Sequence, residues 1–175
     1  LPSHLEVLGQ AVRDLLGKKR FLFRSAASLI NGLANLPINH FKQAEFASLR
    51  LKSKSGQLKP GLVLVGSHVP LADEQLAILL KQNACVGIEL PVKKIAGVLE
   101  GTLTDLTLSD LEGQWLDELD HLLSSEKTPV IYSSRGELQF SSAEARINFG
   151  NVLAELMAHL VAKVSNQLGY VISKG

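Results

Sequence analysis

A serine directly behind a glycine, at the end of a short apolar run, is the residue whose type and setting could do chemistry. Gly66 and Ser67 follow the apolar residues 62–65 and precede Pro70. Open α/β sheets use such a strand, turn and helix to present backbone N–H groups and a hydroxyl to ligands, often phosphates. Ser67 could donate to a phosphate or a nucleotide, or it could bond the local backbone, as turn serines usually do. The sequence leaves both open, and His68, a lone histidine in the same loop, does not by itself indicate catalysis.

Two further polar, glycine-bearing segments follow predicted strands. They are residues 133–136 (Ser-Ser-Arg-Gly) and Lys174-Gly175. In a parallel sheet, all three segments lie at one edge and predict a cleft for a nucleotide or phosphorylated ligand. Arg135 could pair with a phosphate, or it could be a solvated surface arginine. Asp73 and Glu74 suit the start of the following helix but repel phosphate, so a phosphate is expected nearer Gly66 and Ser67.

Gly150 interrupts an otherwise strong helical pattern. Glycine costs a helix about 1 kcal/mol relative to alanine, so a compensating role is expected. The two candidates are close approach of a ligand and close packing of another backbone, of which packing is the commoner.

The elements that must position these residues alternate between strands and helices. Apolar runs predict strands at 62–65, 85–90, 130–133 and 170–173, and helical periodicity predicts helices at 73–82, 92–99, 109–123 and 142–168. The predicted fold class is α/β, with a mostly parallel sheet, helices on both faces and right-handed crossovers.

The pattern before residue 60 is weaker. Ser3, with Glu6 three positions later, predicts a capping box for a helix reaching residue 16. Residues 21–23 are a strand candidate, and Ser25 is expected to cap a second helix that Pro37 closes. The polar residues 52–57 read as part of a linker.

Composition excludes several classes of function. The chain has 175 residues, 46% hydrophobic and 20% charged, with a net charge of +1. Scattered basic residues give no reason to expect nucleic acid, and no apolar run is long enough to span a membrane. The single cysteine, Cys85, cannot form an internal disulfide, which favours a cytoplasmic location. No metal site is expected, because the five histidines are far apart and lack paired acidic neighbours: His4, His40, His68, His121 and His159.

Three segments together resemble the four-carbon acid sugar kinase family. They are residues 20–28 (RFLFRSAAS), 61–70 (GLVLVGSHVP) and 130–135 (VIYSSR), in the family's order and spacing. The resemblance implies an N-terminal domain that binds the acid sugar and a C-terminal domain that binds ATP. A kinase of this kind phosphorylates a terminal hydroxyl of a threonate- or erythronate-like substrate.

On that resemblance, residues 1–40 are the tail of the sugar-binding domain, 41–60 a linker and 61–175 a truncated nucleotide-binding domain. It implies that Ser67, Gly150 and Gly175 bind ATP, with Mg²⁺ accompanying the nucleotide. The expected partners are a small sugar acid and ATP, without nucleic acid or membrane, and the sequence leaves a homodimer open.

The chain departs from the family's pattern in three places. It has no Asp-Asp-x-Thr-Gly motif, and it ends at the first glycine of a Gly-Gly-x-Thr loop. His68 stands where the family often has serine. We therefore expect an excerpt of a longer protein that does not catalyse alone, with the catalytic base outside it.

Two alternatives remain at this point. One is a non-catalytic α/β module for ligand binding or regulation. The other is a structural domain in which Gly150 serves helix packing and no nucleotide binds.

Overall fold

The computed structural model of the chain describes residues 2–36, 42–136 and 138–174. The chain forms two compact units, Leu1–Phe46 and Ala47–Gly175. Within the described residues, no helix is both long and apolar enough to cross a membrane.

The first unit is built on two closely packed helices, α1 (Pro2–Leu15) and α2 (Ser28–Ala34). A Cβ at Gly9 would overlap the Gly32 carbonyl, so the two backbones approach as closely as only glycine permits. Arg13 fixes the crossing, because its Nη1 donates to the carbonyls of Gly32 at 2.7 Å and Leu33 at 3.0 Å.

Three local predictions in this unit are wrong. Ser3 is not an N-cap, since α1 already begins at Pro2, and proline suits the first turn of a helix. Residues 21–23 form no strand; the rings of Phe21 and Phe23 stack instead, with centroids 5.8 Å apart. Ser25 does not cap α2, because the N-cap position is Ala27. Pro37 lies outside the described residues.

The second unit is a parallel four-stranded sheet with helices on both faces, as predicted. The strand order is β2-β3-β1-β4. After the short α3 (Gln43–Ser48), its elements are β1 (Gly61–Val65), α4 (Pro70–Leu79), β2 (Cys85–Leu90), α5 (Val92–Leu99), α6 (Leu108–Ser124), β3 (Thr128–Ser133), α7 (Ala143–Val164), a 3-10 turn (Ser165–Gln167) and β4 (Tyr170–Lys174).

Local chemistry explains where the helices of this unit begin. Thr107 and Asp110 form a capping box at α6, and the Ser142 hydroxyl accepts from the Ala145 N–H at 3.0 Å at α7. Pro70 occupies the first turn of α4, where its missing N–H costs no helical hydrogen bond.

The core lies mainly between the sheet and one helical layer. Leu119 of α6, Ile131 of β3 and Leu160 of α7 are fully buried in one cluster. Leu76 of α4 packs on the other face, against Val63 and Val130. Helices α6 and α7 therefore cover one face and α4 the other.

The predicted linker residues 52–57 lie in a tight turn of the second unit. Lys52 and Leu58 bridge the turn, and the Leu51 N–H donates to the Gly169 carbonyl at 3.0 Å. Lys59 Nζ donates to the Asn166 carbonyl at 2.6 Å. These contacts tie the segment to the turn that precedes β4.

Candidate functional site

The topology produces a crevice between β1 and β3 at their carboxyl ends. The connection from β1 to β2 crosses β3 on the face of the sheet that α4 covers. The connection from β3 to β4 crosses β1 on the opposite face, which α7 covers. The loops that leave these two neighbouring strands therefore diverge to opposite faces. Open α/β sheets bind ligands at such topological switch points.

Arg135, in the loop after β3, joins the two sides of the crevice. Its Nη1 donates to the Ser67 carbonyl at 2.7 Å, and its Nε lies 3.1 Å from Asp73 Oδ1. The side chain keeps 29% of its exposure, so it is an ordered bridge at the rim and not a freely solvated arginine. The predicted meeting of the loops after β1 and β3 is confirmed.

The Ser67 hydroxyl is only weakly engaged by the protein. Its described contact is the Val69 N–H at 3.5 Å, at the outer limit of a hydrogen bond. The hydrogen bond between Ser67 and the local backbone is therefore weak. The hydroxyl is free to donate a hydrogen bond to a ligand oxygen.

His68 makes the second contact across the crevice. Its Nε2 lies 2.8 Å from the Ser133 hydroxyl, although the residues are 65 positions apart in the sequence. Ser133 is 1% exposed, whereas His68 is exposed. Sequence reasoning noted His68 but missed this pair, because the parallel register of β1 and β3 creates it.

Ser134 ties the loop after β3 to the start of α5. Its hydroxyl accepts from the Val92 N–H at 3.0 Å, one of the N–H groups that a helix leaves unpaired in its first turn. A cleft of about 280 Å³ lies beside this junction, and its polar lining includes Glu89, Lys93 and Arg135. Arg135 thus borders both the cleft and the Ser67 loop.

The third strand end also adjoins the first loop. The Gly66 N–H donates to the Lys174 carbonyl at 2.9 Å, which places the end of β4 beside the turn after β1. Gly175 itself lies outside the described residues. The described residues of all three polar segments, which follow β1, β3 and β4, therefore lie at the carboxyl edge of the sheet, as predicted.

Gly150 lies in the second turn of α7 and is exposed. A Cβ built on it meets no atom within 4 Å. Within the part of the chain that the structure describes, close packing of another backbone therefore does not account for this glycine. The second explanation for Gly150, close approach of a ligand, is still a prediction.

The crevice holds no cluster of metal ligands among the described residues, where no group of three or more His, Cys, Asp or Glu side chains could hold a metal ion. Cys85 is half-buried in β2 near the opposite end of the sheet, and burial raises the pKa of its thiol.

The pKa of Tyr132 depends on the charged groups around the crevice. Burial raises the pKa of its hydroxyl, the charge and hydrogen bonding of its cross-strand neighbour Glu89 raise it further, and Arg135 lowers it. The pKa of Tyr132 is therefore higher in the folded protein than in the unfolded chain. The neutral side chain contributes to stability below the pKa that tyrosine has in the unfolded chain, and this contribution is lost as the pH rises through the raised pKa of the folded protein.

We expect Glu89→Gln to lower the pKa of Tyr132 and Arg135→Gln to raise it. An ultraviolet titration of tyrosinate measures both in a Tyr170→Phe background, where Tyr132 is the remaining tyrosine. A titration curve unmoved by either substitution would contradict the placement of Glu89 and Arg135 beside this ring.

Comparison with known proteins identifies a family for most of the second unit. A family model described as nucleotide-binding C-terminal domain matches residues 62–175, about two thirds of the chain. The match begins in β1 and includes every strand and loop of the crevice. No curated protein and no solved structure matches the chain.

Proposed function

The chain belongs to the family of nucleotide-binding C-terminal domains, and we propose from this that its second unit binds ATP at the crevice between β1 and β3. The observation that carries the location is the contact of Arg135 with the Ser67 carbonyl at 2.7 Å, which joins two polar loops at the topological switch point.

In this proposal the phosphates lie against the loop that follows β1. Ser67 offers a weakly engaged hydroxyl, and Arg135 places a guanidinium at the carbonyl of the same residue. Gly150 leaves α7 open to the ligand, and Gly175 takes part in binding the nucleotide. Mg²⁺ would accompany the nucleotide and would neutralise part of the phosphate charge. The cleft beside Arg135 offers room for the rest of the ligand.

We further propose that the parent protein is a kinase for a four-carbon sugar acid of the threonate or erythronate type. The resemblance of residues 20–28, 61–70 and 130–135 to that family supports this proposal. Residues 1–40 then belong to the acid-sugar-binding domain, residues 41–60 connect the domains, and residues 61–175 hold the nucleotide. Phosphoryl transfer depends on positioning and charge neutralisation, which Ser67 and Arg135 would supply on the nucleotide side.

Calorimetric titration of the chain with Mg-ATP and Mg-ADP tests nucleotide binding. We expect saturable binding that Ser67→Ala weakens by about tenfold, because a hydrogen bond to a charged phosphate is lost. Ser124→Ala is the matched control: it removes an exposed hydroxyl at the carboxyl end of α6, which leads into the amino end of β3.

An unchanged affinity in Ser67→Ala would contradict the placement of the phosphates. Absence of binding by the unsubstituted chain would contradict nucleotide binding by this unit and favour a structural role. Activity of the parent protein on threonate or erythronate separates the kinase from a non-catalytic nucleotide-binding module.

A further inference from the structure

We propose that His68 is a ligand-contacting residue, which donates a hydrogen bond from Nδ1 to a phosphate oxygen of the nucleotide. In this proposal Ser133 is a positioning residue that fixes the proton on Nδ1. The identity of the ligand rests on the proposed function, whereas the position of the proton is a property of the protein alone.

The first step is the environment of the Ser133 hydroxyl. Ser133 ends β3 and is 1% exposed, so water does not supply a partner for its proton. The partner that the structure describes for this hydroxyl is His68 Nε2, at 2.8 Å. A buried hydroxyl whose proton finds no acceptor is costly, so the stable arrangement has Ser133 donating and Nε2 accepting.

The second step follows from the chemistry of imidazole. A neutral histidine carries one proton, and when Nε2 accepts a hydrogen bond that proton resides on Nδ1. The Ser133 hydroxyl therefore selects the tautomer that has a donor at Nδ1. The same contact anchors the ring across the crevice, so the donor is held in place before any ligand arrives.

The third step is the position of that donor. His68 is exposed and directly follows Ser67 in the loop that begins the crevice. Within the described residues, Nδ1 has no protein partner. The charge of the neighbouring Arg135 is partly neutralised by Asp73, whose Oδ1 lies 3.1 Å from Arg135 Nε. A fixed N–H on the residue that follows Ser67 adds a donor suited to a phosphate oxygen in a loop where Asp73 and Glu74 are unfavourable to anions.

Nitrogen NMR of the imidazole ring tests the tautomer without any nucleotide. In mildly alkaline buffer, where imidazole is neutral, we expect His68 to carry its proton on Nδ1. Ser133→Ala should shift the population toward the Nε2–H form. A proton on Nε2 in the unsubstituted chain would overturn the positioning role of Ser133.

Two amide substitutions separate ligand contact from a merely structural role. The His68→Gln amide can reach the position of Nε2 and keep the Ser133 contact, but it places no donor at Nδ1. The shorter His68→Asn amide supplies a donor near Nδ1 and loses the Ser133 contact. We expect Mg-ATP binding to weaken by about tenfold in His68→Gln and to stay within about threefold in His68→Asn.

The reverse order, with glutamine retaining affinity and asparagine losing it, would overturn the ligand contact. His121→Gln, at an exposed position of α6, is the matched control for the substitution itself. If the unsubstituted chain binds no Mg-ATP, the proposed function fails and the ligand contact fails with it. If it binds and His68→Gln binds equally well, only the role of His68 is overturned.

Discussion

Replacing Gly150 by leucine is expected to stabilise α7 and, at the same time, to weaken Mg-ATP binding by about tenfold to a hundredfold. The stabilisation is about 1 kcal/mol, because leucine is a strong helix former and glycine a poor one. Apart from the adjoining backbone of α7 itself, no described atom lies within 4 Å of the position that a Cβ would take, so the side chain enters open space in the free protein. The loss of affinity arises only if the nucleotide occupies that space.

Gly113→Leu is the control for this experiment. Gly113 lies within α6, and a Cβ there also meets no atom within 4 Å. We expect the same gain in stability from it, measured by thermal denaturation, with unchanged affinity for Mg-ATP. Equal affinity in both variants would remove Gly150 from the nucleotide site.

Arg135→Gln is the second substitution with a large expected effect. It removes the guanidinium beside the predicted phosphate position and breaks the contact with the Ser67 carbonyl. It also leaves the Asp73 carboxylate uncompensated next to an anionic ligand. We expect Mg-ATP binding to weaken by about tenfold to a hundredfold, measured by calorimetry at fixed ionic strength.

Asp73→Asn separates the two contributions of Arg135. Alone, it should leave the affinity unchanged or raise it up to about threefold, because a repulsive charge disappears and Arg135 is released toward the phosphate. In the Arg135→Gln background it should restore part of the lost affinity. Equal losses in both single variants, with no further loss in the double variant, would show that Arg135 acts only through its ion pair and would contradict phosphate contact.

The sheet was predictable because its strands are short, apolar and rich in β-branched residues. Cys85–Leu90 and Val92–Leu99 were placed at the bounds that the structure has, since Pro91 separates a strand from a helix at that point. The predictions failed in the first unit, where single capping residues or a three-residue apolar run carried them. Ser3 and Ser25 are good capping residues by type, but each helix begins elsewhere.

The candidate site was predictable as a location but not as a set of contacts. A parallel sheet brings the polar segments after β1, β3 and β4 to one edge, and that much follows from pattern alone. The His68–Ser133 pair and the bond from Val92 to Ser134 depend on strand order and register. A local pattern contains neither, because 65 and 42 residues separate the partners.

The most direct test of the nucleotide site is an amide-resolved NMR titration of the chain with Mg-ATP. We expect saturable shifts at Gly66, Ser67 and Ser134 and in the first turns of α7 around Gly150, with little change at the opposite edge of the sheet near Cys85 and Gly169. Shifts centred on that opposite edge, or no saturable shifts at all, would contradict a nucleotide site in the crevice between β1 and β3.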